Sequence, residues 1–161
     1  MPTLPTPSTV PNVAKAYDAL RPKILQRLLE TRVSLDASLA RVDEQSARAQ
    51  IEAVLERIGN LIATGDLGLH RAFLHTFLAM RAAEAQLPGA VLAMLVAIGD
   101  TAAEVAHEAG TQESAELTIM LTRVTASTAR AVNDLIAEEL ERRSEQLGEL
   151  RTKEQKALEP R

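Results

Sequence analysis

Nine consecutive residues, Ala90 to Ile98 (AVLAMLVAI), carry no polar side chain, and they open a helical pattern that runs from Pro88 to about Glu108. A helix that is apolar nearly all round has to be surrounded, by lipid or by other helices. The run is far shorter than the roughly 20 apolar residues that span a bilayer, and Asp100 and Glu104 follow it. The expected solution is the central helix of a soluble bundle with no membrane partner.

The bundle has to be filled almost without aromatic rings. Hydrophobic residues make up 46% of the chain but aromatics only 2%, so Leu, Ile, Val, Met and Ala must build the interior. Alanine loses no side-chain entropy in a helix and lets helices approach closely, and 161 residues can close one core without staples. An all-α fold follows. The lack of cysteine excludes a disulfide framework and thiol chemistry and fits a cytoplasmic location. A net charge of -4 and a pI near 5.4 leave no positive surplus for nucleic acid. The N-terminus lacks the basic start and apolar core of an export signal.

Three regions are expected along the chain. Residues 1–11 hold Pro2, Pro5, Pro7 and Pro11 and read as a flexible, Pro-rich leader. Residues 12–136 form the helical domain. Val13, Tyr17, Leu20, Ile24 and Leu28 recur at three and four, with a break or kink expected near Leu20-Arg21 because Pro22 lacks an N–H. Val33 to Val42 reads as a short helix or a connection. Asp43 or Ser46 then caps a helix whose stripe is Ala47, Ile51, Val54, Leu55, Ile58, Leu61 and Ile62, and Gly65 stops it. Asp66 caps the next helix, expected to bury Leu69, Phe73, Leu74, Phe77, Leu78 and Met80. The last helix starts near Gln112, with apolar positions Leu117, Leu121, Val124, Ala131 and Leu135. Residues 137–161 are rich in charge, yet Ile136, Leu140, Leu147 and Leu150 keep a thin seam, the pattern of a two-stranded coiled coil that would carry a signal outward. Arg143 and Glu154 interrupt that seam.

No motif points to catalysis. There is no cysteine, no G-x-S-x-G and no glycine-rich phosphate loop. Glu104 and His107 have the Glu-x-x-His spacing of di-iron bundles, but no second copy exists: three residues before His70 stands Leu67, and before His75 stands Ala72. The pair also lies opposite the stripe of Val91, Leu95, Ile98 and Ala102, which reads as a surface pair at a helix C-terminus. His70 shares a face with Phe73, Leu74 and Phe77 and is either a hydrogen-bonded core histidine or a cofactor ligand. His75 faces the flank, about 140° away. Arg81 falls in line with the same apolar face, so either its stem snorkels to water or its guanidinium meets an anion or partner.

The run LERIGNLIATGDLGLHRAFLHTFLAMRAAEAQLPGAVLAMLVAIGDTAAEV, preceded by LRPKILQRLLE and followed by one long helix with a charged end, resembles the N-terminal sensor domains of the RsbR family of stressosome proteins. The likeness spans about Tyr17 to Leu150 and rests on the Gly65-Asp66 break, on Arg81 and on the long last helix. It implies a globin-like fold, a homodimer, and a last helix leading to a sulfate-transporter-and-anti-sigma-antagonist (STAS) output domain or to stressosome partner proteins. The chain then stands as an excised sensor domain or as a protein that signals by other means. Such sensors are globin-like but generally hold no haem. If haem were bound, His70 or His75 would ligate it, yet Phe73, Phe77 and Tyr17 are the only aromatics to pack it. No cofactor is therefore expected, and the reading is a non-enzymatic sensory module. The alternatives are a haem-binding sensor globin and a ligand-free dimerisation scaffold.

Overall fold

The computed structural model describes residues 10–35 and 37–159, and every element among them is a helix. The order is α1 (Val10–Leu35), α2 (Ala37–Arg41), α3 (Glu44–Thr64), α4 (Leu67–Ala83), α5 (Pro88–Ala109) and α6 (Gln112–Leu158). Residues 1–9 of the leader lie outside the described residues, and α1 begins at Val10, with Pro11 in its first turn, where a missing N–H costs nothing.

Helix α1 is continuous through Pro22, contrary to the expected break. Pro22 and Asp18 are both exposed, so the Asp18 carbonyl, which loses its helical donor, can turn to water. On the opposite side Tyr17, Ile24 and Leu28 are fully buried and hold the two halves in line. The ambiguous Val33 to Val42 stretch divides between the end of α1 and the single turn α2, whose Leu39 is fully buried.

Helix α3 follows its sequence pattern at every point. Asp43 accepts a hydrogen bond from the Ser46 N–H at 2.8 Å, the expected stripe is buried, and Gly65 closes the helix at φ 67°. That left-handed conformation is where glycine avoids a Cβ clash. Gly59 has a second role on α3: a Cβ there would lie 3.0 Å from Cε1 of Tyr17, so its absence makes the notch that seats the only tyrosine. The Tyr17 hydroxyl donates to the Leu55 carbonyl in the same notch, which fixes α1 against α3.

Helix α5 packs most extensively against α6, with further contacts to α1 and α4. Its burial is one-sided, which corrects the expectation of a helix enclosed nearly all round. Val91, Met94, Leu95, Ile98 and Ala102 face inward, Val96 and Ala97 are half-buried, and Ala90 and Ala93 are exposed. Alanine raises the apolar count of a sequence, yet it leaves little surface in water and favours the helix, so it serves an outer face well. By length and composition α5 is the one helix among the described residues that could cross a membrane.

Helix α6 is a single element of 47 residues, opened by a capping box in which Thr111 and Ser114 exchange side-chain to backbone hydrogen bonds. Its first half forms a wall of the core through Leu117, Leu121, Val124, Val132 and Leu135, and from Leu140 to Glu159 every residue is exposed.

Candidate functional site

The face that α4 turns to the core runs His70, Leu74, Phe77, Arg81, at steps of four, three and four. Phe73 and Leu78 flank it half-buried, while Leu69 and Met80, which the apolar pattern places inside, are 49% and 54% exposed. Two polar residues hold the central line, so the true stripe sits one residue away from the apolar count on each side. The long stems and rings of His and Arg supply apolar contact area, and that requires their polar tips to find partners.

His70 finds one in α6. Its Nε2 shares a 2.9 Å hydrogen bond with Thr128 Oγ1, both side chains are buried, and Nδ1 is enclosed without a protein partner. In either tautomer Nε2 keeps the threonine, as acceptor or as donor, and Nδ1 is the ring atom without a partner. A small hollow lies beside the ring. That hollow is about 10 Å³, lined by Val54, Ile58, Leu95, Gly99, Val124 and Thr125 besides His70 and Thr128. It has room for about one water molecule and not for a porphyrin. His75, the other candidate haem ligand, is exposed. The residues around the two histidines thus do not fit haem.

Burial holds the His70 imidazole below its ordinary value of 6.5, with no charged neighbour contributing. The folded state therefore keeps His70 neutral where the unfolded chain would bind a proton. Since the unfolded state binds more protons, stability falls as pH drops below about 6.5, at up to about 1.4 kcal/mol per pH unit, until the folded imidazole itself titrates. Urea unfolding between about pH 7.5 and about pH 5.5 should show a steeper acid loss for the parent than for His70→Gln. Parallel curves would mean that the ring takes up its proton in the native state without penalty.

Arg81 is drawn inward as well, which corrects the snorkelling alternative. Its side chain is 6% exposed, with Nη1 2.8 Å from Gln50 Oε1 on α3 and 3.0 Å from Glu84 Oε2 at the end of its own helix. The guanidinium lies over the Phe77 ring, 5.3 Å from its centroid. The partner of this residue is the protein itself.

The remaining candidates are scattered. Glu104 and His107 are both exposed on α5. Among the described residues no group of three His, Cys, Asp or Glu side chains is placed to hold a metal ion. Ile136 is half-buried against the core, whereas Leu140, Leu147 and Leu150 are 61%, 58% and 56% exposed on the part of α6 that leaves the domain. Arg71 on α4 pairs with Glu138 at 2.6 Å at the point of departure. Helix α4 thus grips α6 twice, once inside the core through His70 and once at the rim.

Sequence reasoning missed Thr128, Gln50 and the contact of Gly99 with Thr125. A signal for the last is present: Gly99 breaks the end of an apolar helical run with no turn to serve, and a glycine inside a helix marks close approach. Nothing local identifies Thr128 or Gln50, which lie 58 and 31 residues from their partners. Compared with known proteins, the chain matches no family model, no curated protein and no solved structure.

Proposed function

We propose that this chain is a non-enzymatic sensory module of the stressosome type, a globin-like helical domain that forms a homodimer and relays a change through α6 to a STAS-type output domain or stressosome partner proteins in the cytoplasm. The observation that carries the reading is the continuity of α6. One helix is a core wall over its first half and wholly exposed from Leu140 onward, so a displacement at the core end has to move the outer end. A ligand or partner that favours one packing of α3, α4 and α5 biases the helix in proportion to its differential affinity for the two packings. The two grips of α4 on α6, His70–Thr128 and Arg71–Glu138, are where such a bias would be felt. The resemblance to the RsbR sensor domains supports the same arrangement, including a coiled-coil end held by Ile136, Leu140, Leu147 and Leu150. Neither nucleic acid nor membrane enters this reading.

Sedimentation equilibrium tests it. The parent should be a dimer at micromolar concentration, and Leu140→Asp/Leu147→Asp should be monomeric and still unfold cooperatively, because both side chains stand outside the core. A parent that stays monomeric at that concentration removes the basis for relay by a dimer.

A further inference from the structure

Helix α6 carries a second line of uncharged side chains besides its core stripe. Ala115, Ile119, Thr122, Ala126, Ala129 and Asn133 alternate at steps of four and three, and the same steps lead on through Ile136, Leu140, Arg143, Leu147 and Leu150. At about 100° per residue these six lie on the far side of the helix from Leu117, Leu121 and Val124. Five of them are exposed, Ile119 at 55%, and Ala129 is half-buried, so α1 to α5 leave the line open at every position but Ala129. From Ala115 to Leu140 it holds no charged residue, whereas Glu116, Arg123, Arg130 and Asp134 stand on its flanks. A helix that needed only its core face would have no reason to keep charge off the opposite face for about seven turns.

The register identifies the occupant. The outward line and the exposed Leu140, Leu147 and Leu150 keep one heptad register, with Arg143 as its one charged position, so whatever covers the end of α6 also lies along its beginning. If α6 pairs with its own copy at the end, the twofold axis that runs beside Leu147 runs beside Ile119 too. The small side chains of Ala115, Thr122, Ala126 and Ala129 allow the two backbones to approach. Asn133 falls on an a position, with Ile119, Ala126, Leu140 and Leu147, and a single buried Asn there selects parallel, in-register pairs at some cost in stability.

We infer that the interface between two copies of this chain runs along the outward face of α6 from Ala115 to Leu150, with the second copy's α6 lying parallel and in register. The inference rests on the dimeric reading proposed above, and it makes the domain itself, and not only the exposed end, part of the interface. A change of packing at Gly99 or His70 then reaches the dimer axis across the width of one helix.

The chain has no cysteine of its own, so single cysteines report contact across the axis. Under mild oxidation Ile119→Cys, Ala126→Cys and Leu147→Cys should each give disulfide-linked dimers, and Arg130→Cys on the flank should not, because only facing Cβ atoms meet the geometry of the bond. Ile119→Glu, at an exposed position that folding does not require, should weaken dimerisation roughly tenfold or more by sedimentation with helicity unchanged. Cross-linking at Leu147→Cys alone, or an Ile119→Glu variant with undiminished dimer affinity, would confine the seam to the end of α6 and overturn the inference while leaving the dimer intact. A dimer in which none of the three cross-links would overturn the parallel arrangement. A monomeric parent would overturn the dimeric reading and the inference together.

Discussion

Gly99→Ala should lose about 1–3 kcal/mol of stability, and Gly99→Leu should fail to reach the native packing at all. A Cβ at Gly99 would lie 2.0 Å from Thr125 Oγ1 and 3.0 Å from Thr125 Cβ and Cγ2. Rotating the threonine does not clear the space. Its hydroxyl is bonded to the Leu121 carbonyl at 2.8 Å, and its Cβ is fixed to the α6 backbone, so the two helices must separate. Overpacking of this kind costs about 1–3 kcal/mol for one added carbon and more for a branched side chain. The sign makes the measurement decisive, because glycine to alanine inside an open helix stabilises by about 1 kcal/mol. Urea unfolding of Gly99→Ala beside Gly99→Ala/Thr125→Ala gives the comparison. The double variant should recover at least half the loss, since it removes two of the three atoms in conflict. A Gly99→Ala protein more stable than the parent would mean that α5 and α6 do not touch there, and the tightest link between the central helix and the relay helix would be gone.

How much of this fold could be read in advance depended on whether polar residues entered the core. Helix α3 has none on its buried face, so the spacing of Ile51, Leu55, Ile58 and Ile62 and the caps at Asp43 and Gly65 located it completely. Helix α4 has two, and counting apolar residues there placed Leu69 and Met80 inside when His70 and Arg81 hold those lines. Periodicity reports which face a helix buries only when hydrophobicity and burial coincide, and they part wherever a long polar side chain finds a partner on another helix. Pro22 shows the opposite failure. Local propensity called for a break, and the burial of Tyr17, Ile24 and Leu28 on either side overrode it. The seam on α6 was half legible: Ile136 to Leu150 stood out because charge surrounds it, while Ala115 to Asn133 was masked by the stronger core stripe on the same helix.

Gln50→Leu should cost about 2–3 kcal/mol, more than Arg81→Met at the other end of the same hydrogen bond. The guanidinium of Arg81 is buried with its Nε already lacking a partner, and Gln50 Oε1 and Glu84 Oε2 meet the same nitrogen. Glu84 is 57% exposed, and a surface carboxylate in water gives at most about 1 kcal/mol of pairing. Taking away the Gln50 acceptor therefore leaves a desolvated charge with little to answer it, and a hydrogen bond to a charged group is worth about 1.5–3 kcal/mol. Arg81→Met instead removes the charge and keeps most of the stem against Phe77. The half-buried Gln50 it leaves behind can turn to water, so the change should fall within about 1 kcal/mol of neutral in either direction. Combining the two should give a protein close to Arg81→Met alone, because the acceptor matters only while the charge is present. Denaturant titration of the three variants decides the order. If Gln50→Leu proved nearly silent while Arg81→Met was severe, the guanidinium would be held by something other than α3, and an anion or a partner's carboxylate would become its counterpart. The predicted order makes Arg81 a clamp between α3 and the end of α4, fixing the C-terminal end of the helix whose N-terminal half grips α6 through His70 and Arg71.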